Sequence, residues 1–112
     1  MPEHFFFDSD IREETLEPGK VSRKVRAHGG RLMLVEVIFA AGGVGSRHEH
    51  VHEQATYCLS GEFAFSVGET TMTLGPGDSV HIPGSVPHGV TCVAAGRLLD
   101  TFTPQREDFL PH

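Results

Sequence analysis

The chain has 112 residues, which is the length of one domain and too short for two. Its 15 acidic residues outnumber nine lysines and arginines, and no basic cluster is present, so nucleic acid and anionic membranes are poor partners. Thirteen glycines and seven prolines exclude long helices and favour short strands joined by tight turns. We therefore expect an all-β, single-domain protein over residues 1–112.

The longest apolar run, residues 32–41, is interrupted by Glu36 and is much shorter than the roughly 20 residues that span a bilayer. No basic residues precede the short phenylalanine run near the N-terminus, so we expect no secretory signal. Two cysteines, Cys58 and Cys92, are too few for a disulfide framework. We therefore expect reduced thiols in a cytoplasmic protein.

In chain order, the first predicted element is an N-terminal extension or edge element over residues 1–20, which are charged and contain Pro18-Gly19. A barrel and its C-terminal tail follow over residues 21–110. Both faces of residues 33–39 are mostly apolar, which predicts a strand covered on both sides. Alternation predicts further strands, and glycine-rich segments predict the turns between them, at 60–62, 67–69, 75–78 and 83–85. The spacing of about ten residues is typical of a sandwich or small barrel, and residues 106–110 favour one helical turn.

Histidines form the strongest chemical pattern of the chain. Residues two apart on a strand project to one face, so His48 and His50 point together, as does Gln54 if the strand continues unbroken. A third imidazole from a neighbouring strand would complete a shell of three nitrogens and one oxygen, which suits Zn, Ni, Fe(II) or Mn. His52 shares the same parity, so parity alone does not decide whether it contributes. A histidine can also be an ordinary surface or core residue.

The last predicted strand places Asp100 and Phe102 on one face. If that face is the interior, Asp100 serves catalysis or supports a metal ligand, and Phe102 is an apolar wall. The alternative is a solvated aspartate on an edge strand. Arg106 has the planar guanidinium that matches a substrate carboxylate, or it lies at the surface of a charged tail.

Two spaced motifs resemble those of the cupin superfamily, whose fold is a double-stranded β-helix or jelly-roll barrel. The first runs from Gly42 through His48, His50 and Gln54 to Gly61, and the second comprises Gly77, Pro83 and His88. The resemblance implies that His88 is the third imidazole. Gln54 stands where the motif usually has Glu, so all four ligands are neutral. The ion then keeps its full charge and better accommodates an anionic substrate.

Three stretches, residues 33–37, 48–54 and 98–110, are similar to the pectin-degradation protein family known as KdgF, and the likeness covers residues 21–110. It implies a metal-dependent enzyme that converts 4,5-unsaturated monouronates, from pectin or alginate, into linear 4-deoxy-5-keto uronates by ring opening and enol-to-ketone conversion. It implies a small anionic sugar as partner, and a homodimer. The implied metal ligands are His48, His50, Gln54 and His88, and the implied catalytic residues are Asp100, Phe102 and Arg106.

Two other functions remain open at this stage. A cupin dioxygenase requires redox-active Fe, Ni or Cu, and oxygen uptake would favour it. A non-catalytic sugar-binding cupin is the alternative from a different class. A purely structural barrel is disfavoured because histidines and an aspartate that point into a core are costly without a ligand.

Overall fold

The structure is a computed structural model that describes residues 3–110; residues 1–2 and 111–112 of the predicted domain lie outside this range. One-turn 3-10 helices span Asp8–Asp10 and Glu107–Phe109, the second at the predicted helical turn. The strands are β1 (Glu14–Glu17), β2 (Val21–Gly29), β3 (Leu32–Phe39), β4 (Val44–His48), β5 (Glu53–Val67), β6 (Thr70–Leu74), β7 (Ser79–Ile82) and β8 (His88–Thr103). The all-β prediction is confirmed, and β1 is the edge element predicted within the first 20 residues.

The two longest strands, β5 and β8, pair antiparallel along most of their length and organise the fold. On one side the strand order is β1-β2-β3-β8-β5-β7, and on the other it is β4-β8-β5-β6. Both long strands therefore run through both halves, which is the arrangement of a jelly-roll barrel. Among the described residues, no helix has the length and apolar character needed to cross a bilayer.

The turn predicted at residues 60–62 is wrong, because β5 continues through this segment as a bulge. The register between β5 and β8 shifts on both sides of Ser60, and Gly61 has a φ of +85°. A Cβ at Gly61 would lie 2.6 Å from the carbonyl oxygen of Ala94 on β8, so only glycine fits at this crossing. Pairing with β8 on both sides of the bulge keeps the strand continuous. The turns predicted at 67–69, 75–78 and 83–85 are confirmed.

The core lies between the two halves, where inward-facing residues of the strands meet. Phe39 and Phe63 pack edge to face with ring centroids 5.2 Å apart. Other buried members of this cluster are Val21, Cys58, Phe65, Leu74, Ile82, Cys92 and Leu98. A second, smaller cluster contains Met33, Val35 and Phe102, and the C-terminal tail packs on it. Cys58 and Cys92 are both free thiols within the core.

Strand β3 is covered by the core on its inner face, as predicted, but an ion pair replaces an apolar layer on its outer face. Glu36 is only 3% exposed. Arg97 Nη1 donates to its Oε2 at 2.9 Å, and Arg26 Nε donates to its Oε1 at 2.7 Å. Burial acts to raise the pKa of Glu36, but hydrogen bonds from Arg97 and Arg26 outweigh it and hold the pKa below its usual range. The neighbouring outward residues Leu34 and Ile38 are half-buried.

Candidate active site

A cavity of about 360 Å³ lies between the two halves of the barrel. Residues of β1 to β5 and of β8 line it, together with Arg106 and Phe109 of the C-terminal tail. Of the seven residues predicted for the site, His50 alone is not part of the cavity wall, and its ring packs against His88 at 4.7 Å between centroids. The other six are His48, Gln54, His88, Asp100, Phe102 and Arg106. The structure therefore brings the predicted site residues together.

Three histidines from three different segments converge at the edge of this cavity, and two of them, His48 and His88, line it. His48 ends β4, His88 begins β8 in register with it, and His50 lies in the loop between β4 and β5. The ligand nitrogens of the three side chains all lie within 4.8 Å of one another. The predicted convergence is confirmed, but the reason given for it is wrong, because the strand does not continue unbroken from His48 to Gln54. The backbone N–H of Ser85 donates to the carbonyl of His50 at 2.6 Å and fixes this corner.

Backbone carbonyls fix the tautomer of all three rings. The Nδ1 of each histidine lies 2.6–2.9 Å from the carbonyl oxygen of a residue two positions away. The carbonyls belong to Ser46, His52 and Val86. A carbonyl oxygen only accepts, so Nδ1 carries the hydrogen and Nε2 presents a lone pair. His88 Nε2 is buried and has no hydrogen-bond partner within the described part of the chain. These are the nitrogens that a metal ion requires.

The amide of Gln54 supplies an oxygen to the same cluster. Its Nε2 donates to Thr56 Oγ1 at 2.9 Å, which turns Oε1 toward His50 Nε2 at 3.1 Å. With the hydrogen of His50 on Nδ1, two acceptors face each other, and a cation between them resolves the conflict. Protonation of His50 is disfavoured because burial, with the positive charge of Arg106, lowers the pKa of its ring. Three imidazole nitrogens and one amide oxygen fit a divalent transition metal.

A hydrogen-bond chain joins Gln54 to Asp100. Thr56 accepts from Gln54 and donates its own hydrogen to Asp100 Oδ1 at 2.6 Å. Burial raises the pKa of Asp100 to about 6, against the opposing effect of hydrogen bonds from Thr56 and Gln54. A solvated aspartate on an edge strand is excluded, since β8 is an interior strand and pairs with β3 and β5. Sequence reasoning missed Thr56, although it shares the strand parity of Gln54.

Phe102 and Arg106 form the wall opposite β4. Phe102 is buried, and its ring lies 5.8 Å from that of His50 between centroids. The Arg106 side chain is 14% exposed, so the alternative of a solvated tail arginine is wrong. Two nitrogens of Arg106 donate to the carboxylate of Asp108, at 2.8 and 3.1 Å. Its guanidinium also lies 4.3 Å from the ring centroid of Phe109. A guanidinium in the wall of the cavity can meet a carboxylate there.

Two further histidines, His52 and His81, lie outside the cluster. His81 is exposed on β7, where its Nε2 lies 2.6 Å from Glu53 Oε2. His52 packs edge to face against His50, 5.4 Å between centroids, and its carbonyl serves His50 while its ring contributes no ligand atom to the cluster. Parity could not separate His52 from the ligands because the loop after His48 abolishes the alternation.

Comparison with known proteins gives the family. The model of the cupin domain family matches residues 35–102. The pectin degradation protein KdgF of Dickeya dadantii (strain 3937) is 35% identical over 108 residues, which are 95% of this chain and 97% of the relative.

Two solved structures superpose closely. An RmlC-like cupin from Shewanella frigidimarina NCIMB 400 gives a TM-score of 0.91 at 38% identity, with 96% of each chain covered. KdgF from Halomonas sp. gives a TM-score of 0.88 at 34% identity, with 95% of this chain and 99% of the other covered. The fold, the two motifs and these similarities agree, and the chain belongs to the cupin family and, within it, to the family of the pectin degradation protein KdgF.

Proposed function

We propose that the protein converts 4,5-unsaturated monouronates from pectin or alginate breakdown into linear 4-deoxy-5-keto uronates. The observation that carries this proposal is one cavity lined by two members of the three-histidine cluster, by the buried carboxyl group of Asp100 and by the guanidinium of Arg106. The similarity to a relative named for pectin degradation supports it. A cavity of about 360 Å³ is large enough for one sugar ring.

The proposed cofactor is one divalent ion, Zn, Ni, Fe or Mn, held by His48, His50, Gln54 and His88. When bound, it would attract the substrate carboxylate and stabilise negative charge on the adjacent ring oxygen. The site is preorganised, because hydrogen bonds to backbone carbonyls orient each imidazole and a hydrogen bond to Thr56 orients the Gln54 amide. Because all four protein ligands are neutral, the site retains its attraction for an anionic sugar.

The proposed reaction is an isomerisation in which atoms and electrons balance within the substrate. The anomeric hydroxyl loses its proton, the C1 carbonyl forms, and the bond between C1 and the ring oxygen breaks. The ring oxygen retains that electron pair as an enolate, and protonation of C4 then gives the C5 ketone. Asp100 is the group proposed to accept the first proton and to return one to C4. Thr56 holds its carboxyl group at 2.6 Å in a fixed orientation.

Arg106 and Phe102 are proposed to select and orient the sugar. The guanidinium of Arg106 lies in the cavity wall with Nε and Nη2 paired to Asp108, and its remaining N–H groups are proposed to bind the substrate carboxylate. Phe102 provides an apolar face beside the histidines and limits the access of water. These residues therefore favour a small ring with one negative charge.

We also propose a homodimer in the cytoplasm. The outward residues Leu34, Ile38 and Leu99 of the neighbouring strands β3 and β8 are half-buried and surround the Glu36 ion pair, and these apolar side chains are the proposed contacts for a second copy. Free Cys58 and Cys92 suit a reducing compartment. Sedimentation or light scattering at several concentrations tests the dimer, and a monomer throughout would contradict it.

The function is tested with the protein loaded with one divalent metal at a time. The loss of absorbance from the 4,5-double bond of unsaturated galacturonate is followed and corrected for the spontaneous reaction. We expect acceleration by the loaded protein and loss of that acceleration after chelation. Equal rates with and without protein, on both pectin- and alginate-derived monomers, would refute the enzyme. Oxygen uptake during turnover would instead indicate a dioxygenase.

A further inference from the structure

Phe109 in the C-terminal tail lies between two arginines from distant parts of the chain. The guanidinium carbon of Arg23, on β2, lies 3.8 Å from the ring centroid of Phe109, and that of Arg106 lies 4.3 Å from it. The ring also meets Phe102 edge to face, at 5.8 Å and an interplanar angle of 90°. Aromatic rings attract cations to their faces, most strongly away from water. One aromatic side chain therefore connects β2 to the wall of the active-site cavity.

The environment of Arg23 is unusual for an arginine. It lies on β2 opposite Val37 of β3, and its side chain is only 16% exposed. Its Nε is buried and has no hydrogen-bond partner among residues 3–110, and the carboxylate of Glu14 is 3.6 Å away, beyond hydrogen-bond distance. A buried guanidinium with an unsatisfied nitrogen is costly unless another contact offsets it. The carboxylate of Glu14 offsets the charge, and the Phe109 ring covers the guanidinium.

The tail depends on few attachments. After β8 ends at Thr103, Phe109 and Leu110 pack on the cluster of Met33, Val35 and Phe102. Arg106 precedes Phe109 by three residues, stacks on its ring, and pairs with Asp108 in the same turn. The Phe109 ring and the Asp108 carboxylate together set where the Arg106 guanidinium lies relative to the cavity.

We propose that Arg23 is a positioning residue that fixes Phe109 and, through it, holds Arg106 where a substrate carboxylate arrives. The inference rests on the proposed role of Arg106 in binding the sugar. Arg23 itself does not line the cavity, so it acts through Phe109 and not by touching substrate. Because Glu14 balances the charge of Arg23, Arg23 contributes to substrate binding more through the position of Phe109 than through net charge.

The first test is a cycle of variants in metal-loaded protein. Arg23→Ala should raise the KM for unsaturated galacturonate about 5- to 30-fold and change kcat less, the size expected for one desolvated cation–aromatic contact. Arg23→Lys keeps the charge without the planar stack and should rescue part of the loss. Arg31→Ala, at an exposed position in the β2–β3 turn, is the matched control and should leave KM unchanged. An unchanged KM in Arg23→Ala would overturn the inference.

The cycle also separates positioning from direct contact. In an Arg106→Ala background, removal of Arg23 should have little further effect on the affinity for saturated galacturonate, measured by calorimetry, because its route to the sugar is gone. The same loss in both backgrounds would overturn the inference by showing that Arg23 acts independently of Arg106. Thermal unfolding of each variant identifies effects that arise from folding alone, and Arg23→Gln provides a second variant.

A spectroscopic test needs neither metal nor substrate. The chain contains no tryptophan, so Phe109→Trp introduces a single fluorophore at the contact. With Arg23 present, we expect blue-shifted emission that acrylamide quenches poorly. Adding Arg23→Ala should shift the emission to the red and increase quenching, whereas Arg31→Ala should not. Unchanged emission would overturn the inference that Arg23 fixes Phe109. This result is independent of turnover, so failure of the proposed function and failure of the inference remain distinguishable.

Discussion

Replacement of Gln54 by glutamate places two carboxylates around one hydroxyl group. In the native chain, Gln54 Nε2 donates to Thr56 Oγ1 at 2.9 Å, and Thr56 donates its hydrogen to Asp100 Oδ1 at 2.6 Å. Glutamate has no N–H to donate, so the single hydrogen of Thr56 must then serve both the introduced carboxylate and that of Asp100. The glutamate usual in the cupin motif thus conflicts with this aspartate, and glutamine satisfies both neighbours.

The energetic cost of the Gln54→Glu substitution follows from the contacts among Gln54, Thr56 and Asp100. A lost hydrogen bond is worth about 1 kcal/mol, and two carboxylates about 5 Å apart repel by about 3 kcal/mol at an effective dielectric constant of about 20. An ion in the site offsets part of the repulsion, while the new anionic ligand cancels one unit of its charge. We therefore expect Gln54→Glu to keep or tighten metal binding and to weaken saturated galacturonate binding by about 10- to 100-fold.

The assay is calorimetric titration of metal-loaded protein with saturated galacturonate at matched ionic strength, with metal content measured by mass spectrometry. Ala55→Glu is the matched control, because it adds the same charge at the next residue of β5, which is exposed. That control should bind galacturonate as the native protein does. Equal affinity in Gln54→Glu and native protein would refute the reasoning, as would an equal loss in Ala55→Glu.

Three further substitutions test other parts of the structure. Asp100→Asn keeps the shape of the side chain and removes the base, so the turnover corrected for the spontaneous reaction should fall about 100- to 10,000-fold. Metal content and thermal stability should be retained. A native rate would show that Asp100 is not the proton-transfer group. His88→Ala should lose bound metal by mass spectrometry while His81→Ala retains it, and full metal content in His88→Ala would contradict the assigned cluster. Glu36→Gln should lower the free energy of unfolding by about 1–2 kcal/mol at neutral pH, a modest value because the partner arginines remain partly hydrated. Although burial opposes them, the arginine hydrogen bonds hold the folded pKa of Glu36 below the unfolded one. The difference in unfolding free energy between the native protein and Glu36→Gln is therefore present above the unfolded pKa and disappears as the pH falls through the folded pKa. Denaturant unfolding at several pH values measures this difference, and a value independent of pH would contradict the prediction.

Features that repeat along the chain could be predicted from the sequence. The alternation of Met33, Val35 and Phe39 places them in the core, and the same rule places Asp100 and Phe102 on one inner face. His88 is an exception, since no local pattern marks it and only the resemblance to the second motif identified it.

Features that depend on contacts between distant segments could not be predicted. The segment around Gly61 has the composition of a turn, but β8 pairs with it on both sides and holds it extended. Arg23 and Phe109 lie near opposite ends of the chain and meet because the tail folds back over the barrel. The alternation of apolar residues along a strand does not predict such a contact. His50 joins the histidine cluster from a loop, where a backbone hydrogen bond from Ser85 holds it in place of the strand geometry expected from the sequence.

The register of the two long strands has a consequence for how such a site can diversify. Gln54 lies opposite Phe102, and Thr56 lies opposite Asp100, each held by ladder pairing between β5 and β8. The proposed oxygen ligand, Gln54, and the proposed proton carrier, Asp100, therefore lie on one pair of hydrogen-bonded strands, and a change in their separation would disrupt the pairing. His50 and Arg106, in contrast, lie outside the strands, in a short loop and in the tail. Exchange of those two segments between relatives should alter sugar preference while the chemistry on the ribbon is preserved.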